Sequence, residues 1–194
     1  MGAIDLELDR ADVWEDDEVN TALGYMEDLK QYIMLNFGET AQGGNVDDYV
    51  RLTYTVSNNI GGGTATGGSW LTRPINTEFS DSGSICSLSG NDFALASGTY
   101  KFLIVASFGN VNAMRIRLYN VSDAAIVLIS PPANISANGI NGLSMLSGQF
   151  TIAATKTMRM QYRTSFTQPN GLGLASNFGD DETYTTIDLW RTSS

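Results

Sequence analysis

The chain has 194 residues, 42% of them hydrophobic, enough for one β-sandwich of ordinary size plus a small extra element. Its net charge of −10 is concentrated: residues 1–48 hold 13 Asp/Glu against two Lys/Arg, whereas residues 49–194 hold 8 against 9. With no histidine, Ser-His and Cys-His catalytic pairs are excluded and zinc loses its usual ligands; with one cysteine, an intrachain disulfide is excluded.

The acidic leader repels nucleic acid and suits a basic protein socket, or it serves only as a solvated arm that keeps the protein soluble. Nothing in Met1-Gly2-Ala3-Ile4-Asp5 has the basic and apolar regions of a signal peptide, and Leu6 stands where a myristoylation pattern needs Ser or Thr. No apolar run approaches the roughly 18 residues of a membrane span, so no membrane insertion is expected. Over residues 1–11, Ile4, Leu6 and Leu8 alternate with acidic residues, the period of a strand that needs a partner.

The pattern then predicts one helix, over about 16–37. Asp16 or Asp17 can cap it, the acidic run Glu15 to Glu18 suits its dipole, and Gly38 follows its end. The apolar residues Val19, Ala22, Met26, Leu29 and Ile33 are spaced 3, 4, 3 and 4, a heptad seam of about two repeats. Its last turn, from Tyr32 to Phe37, is apolar nearly all round and is expected to be buried on several sides. Such a helix fits a short trimeric stem or a groove on another protein.

Residues 38–48 read as a polar linker. Val50, Leu52, Tyr54 and Val56 then alternate with Arg51, Thr53 and Thr55, a strand with one wet face. The run Gly61-Gly62-Gly63-Thr64-Ala65-Thr66-Gly67-Gly68 reads as a flexible hinge, and the domain boundary is placed there. Approximate strands follow at 70–79, 84–88, 99–107, 113–120, 124–130, 143–154, 157–166 and 183–191. The clearest set Met114, Ile116 and Leu118 against Arg115, Arg117 and Tyr119, and Met158, Met160 and Tyr162 against Arg159, Gln161 and Arg163. Short strands between turn-rich segments predict a sandwich or jelly roll, and no fixed-period repeat points to a β-helix. Cys86 is expected as a small core residue.

Several words of residues 70–191 resemble the tumour-necrosis-factor/complement-head type of jelly roll. Trp70-Leu71-Thr72-Arg73-Pro74-Ile75-Asn76-Thr77 is similar to its first strand, with an Arg-x-x-Asn pair. Leu95-Ala96-Ser97-Gly98-Thr99-Tyr100 resembles its "L-x-x-G-x-Y" approach to the long central strand. Arg115 to Asn120, Gly171-Leu172-Gly173 and Tyr184 to Arg191 resemble the strand that follows and the closing region. The front end is similar to the anchor helix of small bacteriophage tail or head fibres, with Glu15 where Ser or Thr is common. The resemblance implies an all-β jelly-roll sandwich preceded by a single N-terminal α-helix anchor, assembled as a homotrimer.

The expected organisation is therefore an acidic anchoring segment at 1–48, a strand and glycine-rich hinge at 49–69, and a head at 70–194. Virion anchoring falls to Val19, Ala22, Met26, Leu29, Ile33 and Phe37. Tyr100, Phe102, Tyr162 and Trp190 lie on predicted strands and are read as core or, on the resemblance, as packing across the threefold axis of a trimer, rather than as a sugar-stacking platform. If eight antiparallel strands make the head, both its ends lie at one pole and the loops near 80–83, 108–112, 131–142 and 167–182 lie at the other. Those loops carry Asn110, Asn112, Asn134, Asn138, Asn141, Gln168, Asn170 and Asn177, whose amides suit sugar hydroxyls or simply make turns. Asp180, Asp181 and Glu182 are weak candidates for a Ca²⁺ site; no metal, cofactor or catalytic residue is assigned.

The function implied is that of a phage virion fibre. Its N-terminal segment docks on a tail or capsid protein, and its trimeric head binds a host-surface glycan or protein. A decoration fibre without a specific receptor is the alternative. A polysaccharide depolymerase is a third reading, against which the short chain and the missing β-helix repeat argue.

Overall fold

The computed structural model of the chain describes residues 48–135 and 139–192. The expected helix with Val19, Ala22, Met26, Leu29, Ile33 and Phe37, and also Asn138, lie outside the described residues. The described residues form β1 (Asp48–Val56), β2 (Leu71–Thr72), β3 (Thr77–Asp81), β4 (Cys86–Ser89), β5 (Asp92–Leu95) and β6 (Gly98–Gly109). They continue with β7 (Asn112–Asn120), β8 (Ala125–Ile129), β9 (Ala133–Ile135), β10 (Asn141–Ile152), β11 (Lys156–Thr164) and β12 (Glu182–Thr192).

These strands make two antiparallel sheets. The five-stranded sheet has the order β10-β6-β12-β1-β3. The seven-stranded sheet has the order β4-β5-β11-β7-β8, with β2 added to β11 and β9 to β7. Chain order alternates between them: β6 lies in the first, β7 in the second, β10 in the first, β11 in the second and β12 in the first. That is the connectivity of a jelly roll.

Strand alternation decides which side chains meet between the sheets. From the first sheet come Val50, Leu52, Tyr100, Phe102, Ile104, Phe108, Ile187 and Leu189, and from the second Phe93, Leu95, Met114, Ile116, Leu118, Met158, Met160 and Tyr162, all buried. Phe108 and Tyr162 join the two layers with ring centroids 6.1 Å apart. Full burial of a side chain of this size contributes about 1.5–3 kcal/mol.

Three expectations are corrected. First, β1 is an interior strand of the head, paired with β12 from Asp48↔Arg191 to Val56↔Glu182 and with β3 on its other edge. The boundary therefore precedes β1 rather than following Gly68. Second, the glycine-rich run is pinned rather than hinge-like. Gly62 N–H donates to the Gly173 carbonyl (2.9 Å), Leu172 N–H to Gly63 (3.0 Å), and Ala65 and Gln168 exchange both backbone bonds (3.0 and 2.8 Å). Third, the strand expected at 70–79 is two strands in different sheets, β2 on β11 and β3 on β1. Pro74 falls at the crossing, where a residue without an N–H is tolerated.

Arg73 explains the crossing. Its guanidinium is fully buried, donating from Nε to Thr185 Oγ1 (2.9 Å) and from Nη2 to the carbonyls of Ser107 (2.8 Å), Leu172 (2.7 Å) and Tyr184 (3.0 Å). It lies 4.7 Å over the Phe108 ring. Burial pushes it down to about 9, still protonated at neutral pH. Asn76 completes the pair by clasping Thr55, accepting from its N–H (3.0 Å) and donating to its carbonyl (2.6 Å). The Arg-x-x-Asn side chains thus tie the crossover to β6, β12 and β1 of the five-stranded sheet, while the Arg73 backbone N–H donates to the Met160 carbonyl of β11 in the other (2.9 Å). Cys86 is half-buried against the core, and burial pushes its thiol up to about 12, which removes it from thiolate chemistry.

Candidate functional site

The outward face of the five-stranded sheet divides into two halves. Register puts Tyr49, Arg51 and Thr53 of β1 beside Trp190, Asp188 and Thr186 of β12. This half is satisfied within the chain. Arg51 Nε donates to Asp188 Oδ1 (2.7 Å), Tyr49 hydroxyl donates to the same oxygen, and the Tyr49 and Trp190 rings stand 5.6 Å apart. Burial, then the hydrogen bond to Asp188, raises the Tyr49 hydroxyl above its usual value.

The other half is apolar and uncovered. Register places Met145 of β10 opposite Val105 of β6, with Leu103 and Leu143 on the same face two residues along their strands. Leu143 is 58% exposed and Met145 53%. Soluble monomers rarely leave contiguous apolar surface of this kind in water. The remaining positions of this strip, Ser107, Ser147 and Gln149, are small or uncharged, and Lys101 closes it at one end.

This geometry corrects the expected threefold contacts. Tyr100, Phe102 and Tyr162 are 0, 3 and 3% exposed inside one chain, so they have no surface left for another copy. Of the two readings, core and interface, burial bears out the core: on β6 the even residues point inward and the odd ones outward, and a shift of one residue exchanges the faces. Trp190 does lie on the outward face, half-buried against Tyr49. The outward apolar residues of this half, which the sequence reading did not single out, are Leu103, Val105, Leu143 and Met145. The available signal was the unbroken run Phe102-Leu103-Ile104-Val105-Ala106, which marks a strand covered on both faces.

The expected binding pole is assembled in part. Asp48 pairs with Arg191, so the described head begins and ends at one pole. The opposite pole gathers the turns near 109–112, 139–141 and 168–174. Asn110 Oδ1 accepts from Gly139 N–H (2.8 Å), Asn141 exchanges two 2.8 Å bonds with the Leu174 backbone, and Gly109 N–H donates to Gly171 (3.1 Å). Asn112, Gln168 and Asn170 lie on these same segments, and Asn134 lies on β9, opposite Ala113. The loop at 80–83 is instead at the first pole, where Ser82 N–H bonds the Tyr49 carbonyl (3.0 Å).

Backbone geometry assigns a local role to four of the amides. Asn110, Asn112, Asn170 and Asn177 have φ of 56, 62, 55 and 59°, the left-handed region that asparagine tolerates better than most residues. Asn112 and Asn170 are also exposed, and Asn134 is exposed on β9.

The three carboxylates do not converge. Asp180 and Asp181 are exposed, whereas Glu182 is buried and closes the preceding turn. Its oxygens accept from Ser176 N–H (2.8 Å), Ser176 hydroxyl (2.9 Å) and Asn177 N–H (3.0 Å). The backbone bond from Asn177 holds its carboxyl below the usual glutamate range. Among the described residues no group of three His, Cys, Asp or Glu is arranged to hold a metal.

No protein-family model matches the chain, and no curated protein sequence resembles it. Solved structures do. The fold is similar to murine APRIL at pH 5.0, with 10% identity and a TM-score of 0.52 over 75% of this chain and 98% of that one. A second structure of murine APRIL, at pH 8.0, gives 9% identity and a TM-score of 0.50 over 74% and 98%. The globular domain of zebrafish complement 1qA protein gives 12% identity and a TM-score of 0.45 over 76% and 98%. The described residues from Asp48 onward thus form an all-β, two-sheet jelly roll whose fold is similar to that of murine APRIL.

Proposed function

We propose that the chain is a homotrimeric fibre of a bacteriophage virion, whose head attaches to a receptor on the host surface. The observation that carries this reading is the uncovered apolar half of the five-stranded sheet, where Leu143 and Met145 stand beside Val105 and Leu103. A second and third copy of the chain are the proposed occupants of that face. The jelly-roll fold supports the reading, because a sheet of this fold can lie against its own copies around an axis. Residues 1–48, with their balance of −11 and predicted helix, are the proposed docking segment for another virion protein.

The proposed mechanism is multivalent binding without covalent chemistry. The two buried carboxylates among the described residues are engaged structurally, Glu182 by Ser176 and Asn177, and Asp188 by Arg51 and Tyr49. Neither is left as a general acid, which supports binding over depolymerisation.

Attachment of the labelled full chain to a panel of bacterial strains tests the reading, with the Leu143→Glu/Met145→Glu variant as the unassembled control. The trimer is expected to hold cells of at least one strain about 100-fold more tightly than the variant, since linked weak contacts multiply. Equal binding by both forms would contradict a multivalent head. No binding to any strain, with the trimer intact, would favour a decoration fibre.

A further inference from the structure

The outward face of the seven-stranded sheet holds a charge arrangement that the fold does not need. Four arginines occupy alternate, outward positions on two paired strands: Arg115 and Arg117 on β7, Arg159 and Arg163 on β11. Two are satisfied within the chain. Arg159 grips Asp92 with both arms, Nε to Oδ1 at 2.5 Å and Nη2 to Oδ2 at 2.6 Å. Arg117 donates to Gln161 Oε1 (2.7 Å) and lies 4.4 Å over the Trp70 ring and 5.1 Å over Tyr119.

The other two face each other. Arg115 and Arg163 are direct cross-strand partners, both exposed, and neither has a carboxylate partner among the described residues. Like charges directly opposite on a sheet are destabilising. Arg115 is nevertheless held in place, its Nε donating to the Ser130 carbonyl (2.9 Å), which leaves its terminal nitrogens available. Beside this pair runs an open groove of about 570 Å³, walled by Trp70, Ile129 and Pro132 as well as by the two arginines. An apolar wall with an aromatic ring and two convergent cations is the chemistry of a binding site.

We infer that this groove binds an acidic sugar unit of a surface polysaccharide, its anionic group between Arg115 and Arg163 and its ring against Trp70 and Pro132. A guanidinium fork matches a carboxylate or a phosphate with two parallel hydrogen bonds, and a pyranose presents an apolar face to an aromatic ring. A nucleic-acid chain fits less well, because Arg115 and Arg163 form a single spot rather than a track along which successive phosphates could lie. The inference rests on the reading of the head as a receptor binder and names the class of receptor.

Calorimetric titration of the full chain with three probes tests it: oligogalacturonate for carboxylate, a glycerol-phosphate oligomer for phosphate, and neutral dextran oligomers. Binding of one acidic probe and not of dextran is expected, and which one identifies the anion. Arg163→Gln should weaken that binding by about 10-fold or more, the worth of a charge-assisted contact. Its melting temperature should stay level or rise, since a like-charge contact is removed; a merely structural arginine would lower it. Equal binding of dextran, no binding of either acid, or unchanged affinity in Arg163→Gln would overturn the proposal, as would tighter binding of a single-stranded oligonucleotide. If the chain is trimeric and Arg163→Gln attaches to cells as the parent does, the groove assignment fails while the head reading stands. A monomeric chain that attaches to no cell would remove the head reading itself.

Discussion

Arg73 shows how one residue can fix the route of a chain. A buried guanidinium with no carboxylate costs desolvation, and here three carbonyls, a hydroxyl and an aromatic face offset it. Arg73→Ala should destabilise the head by about 3 kcal/mol or more, because the carbonyls of Ser107, Leu172 and Tyr184 lose their donor and a cavity remains. The check is a thermal melt, with a drop on the order of 10 °C expected for a domain of this size. Asn112 separates the two roles of the pole amides. Its φ of 62° makes Asn112→Gly nearly neutral for stability and Asn112→Ala costly by about 1 kcal/mol. If Asn112 serves only its turn, Asn112→Gly leaves cell attachment unchanged; loss of attachment at unchanged stability would assign the amide to the receptor.

At the scale of elements, strand alternation was legible in the sequence and sheet membership was not. Met114, Ile116 and Leu118 of β7 are inward as their pattern predicts, because polar residues separate them. On β6 the run from Phe102 to Ala106 is apolar at every position, so the sequence carries no phase there; only the partners on β10 and β12 set it. That ambiguity left Tyr100 and Phe102 open between core and trimer interface, and burial places them in the core. The alternation of β1 was equally clear, but a strand with one wet face reads the same inside a sheet as outside it. The glycine-rich run gave a composition and hid its hydrogen bonds, which reach residues about 100 positions away.

The turn before β12 makes a prediction in pH. Glu182 is held below its usual range, chiefly by the Asn177 backbone N–H. A depressed carboxyl contributes stability that is complete above its unfolded value, about 4.3, and is lost as pH falls through the lower folded value. Melts between roughly pH 6 and pH 3 should show an acid-limb loss that is smaller in Glu182→Gln; an identical limb in the variant would show that the carboxylate is not the group responsible.

For the whole molecule, the near-neutral balance of residues 49–194 and the acidity of residues 1–48 divide the proposed labour between a head that assembles and binds and a segment that docks. The jelly roll was legible because several short words fell in order, among them the Arg-x-x-Asn pair and the "L-x-x-G-x-Y" approach to β6. The proposed assembly face was not, since it consists of ordinary aliphatic residues whose meaning depends on which side of a strand they occupy. The most direct test is the solution mass of the full chain by light scattering, beside that of Leu143→Glu/Met145→Glu. The parent is expected at three 20.9 kDa chains, about 63 kDa, and the folded variant at one. A monomeric parent, or a variant that stays trimeric, would contradict assembly through the apolar half of the five-stranded sheet.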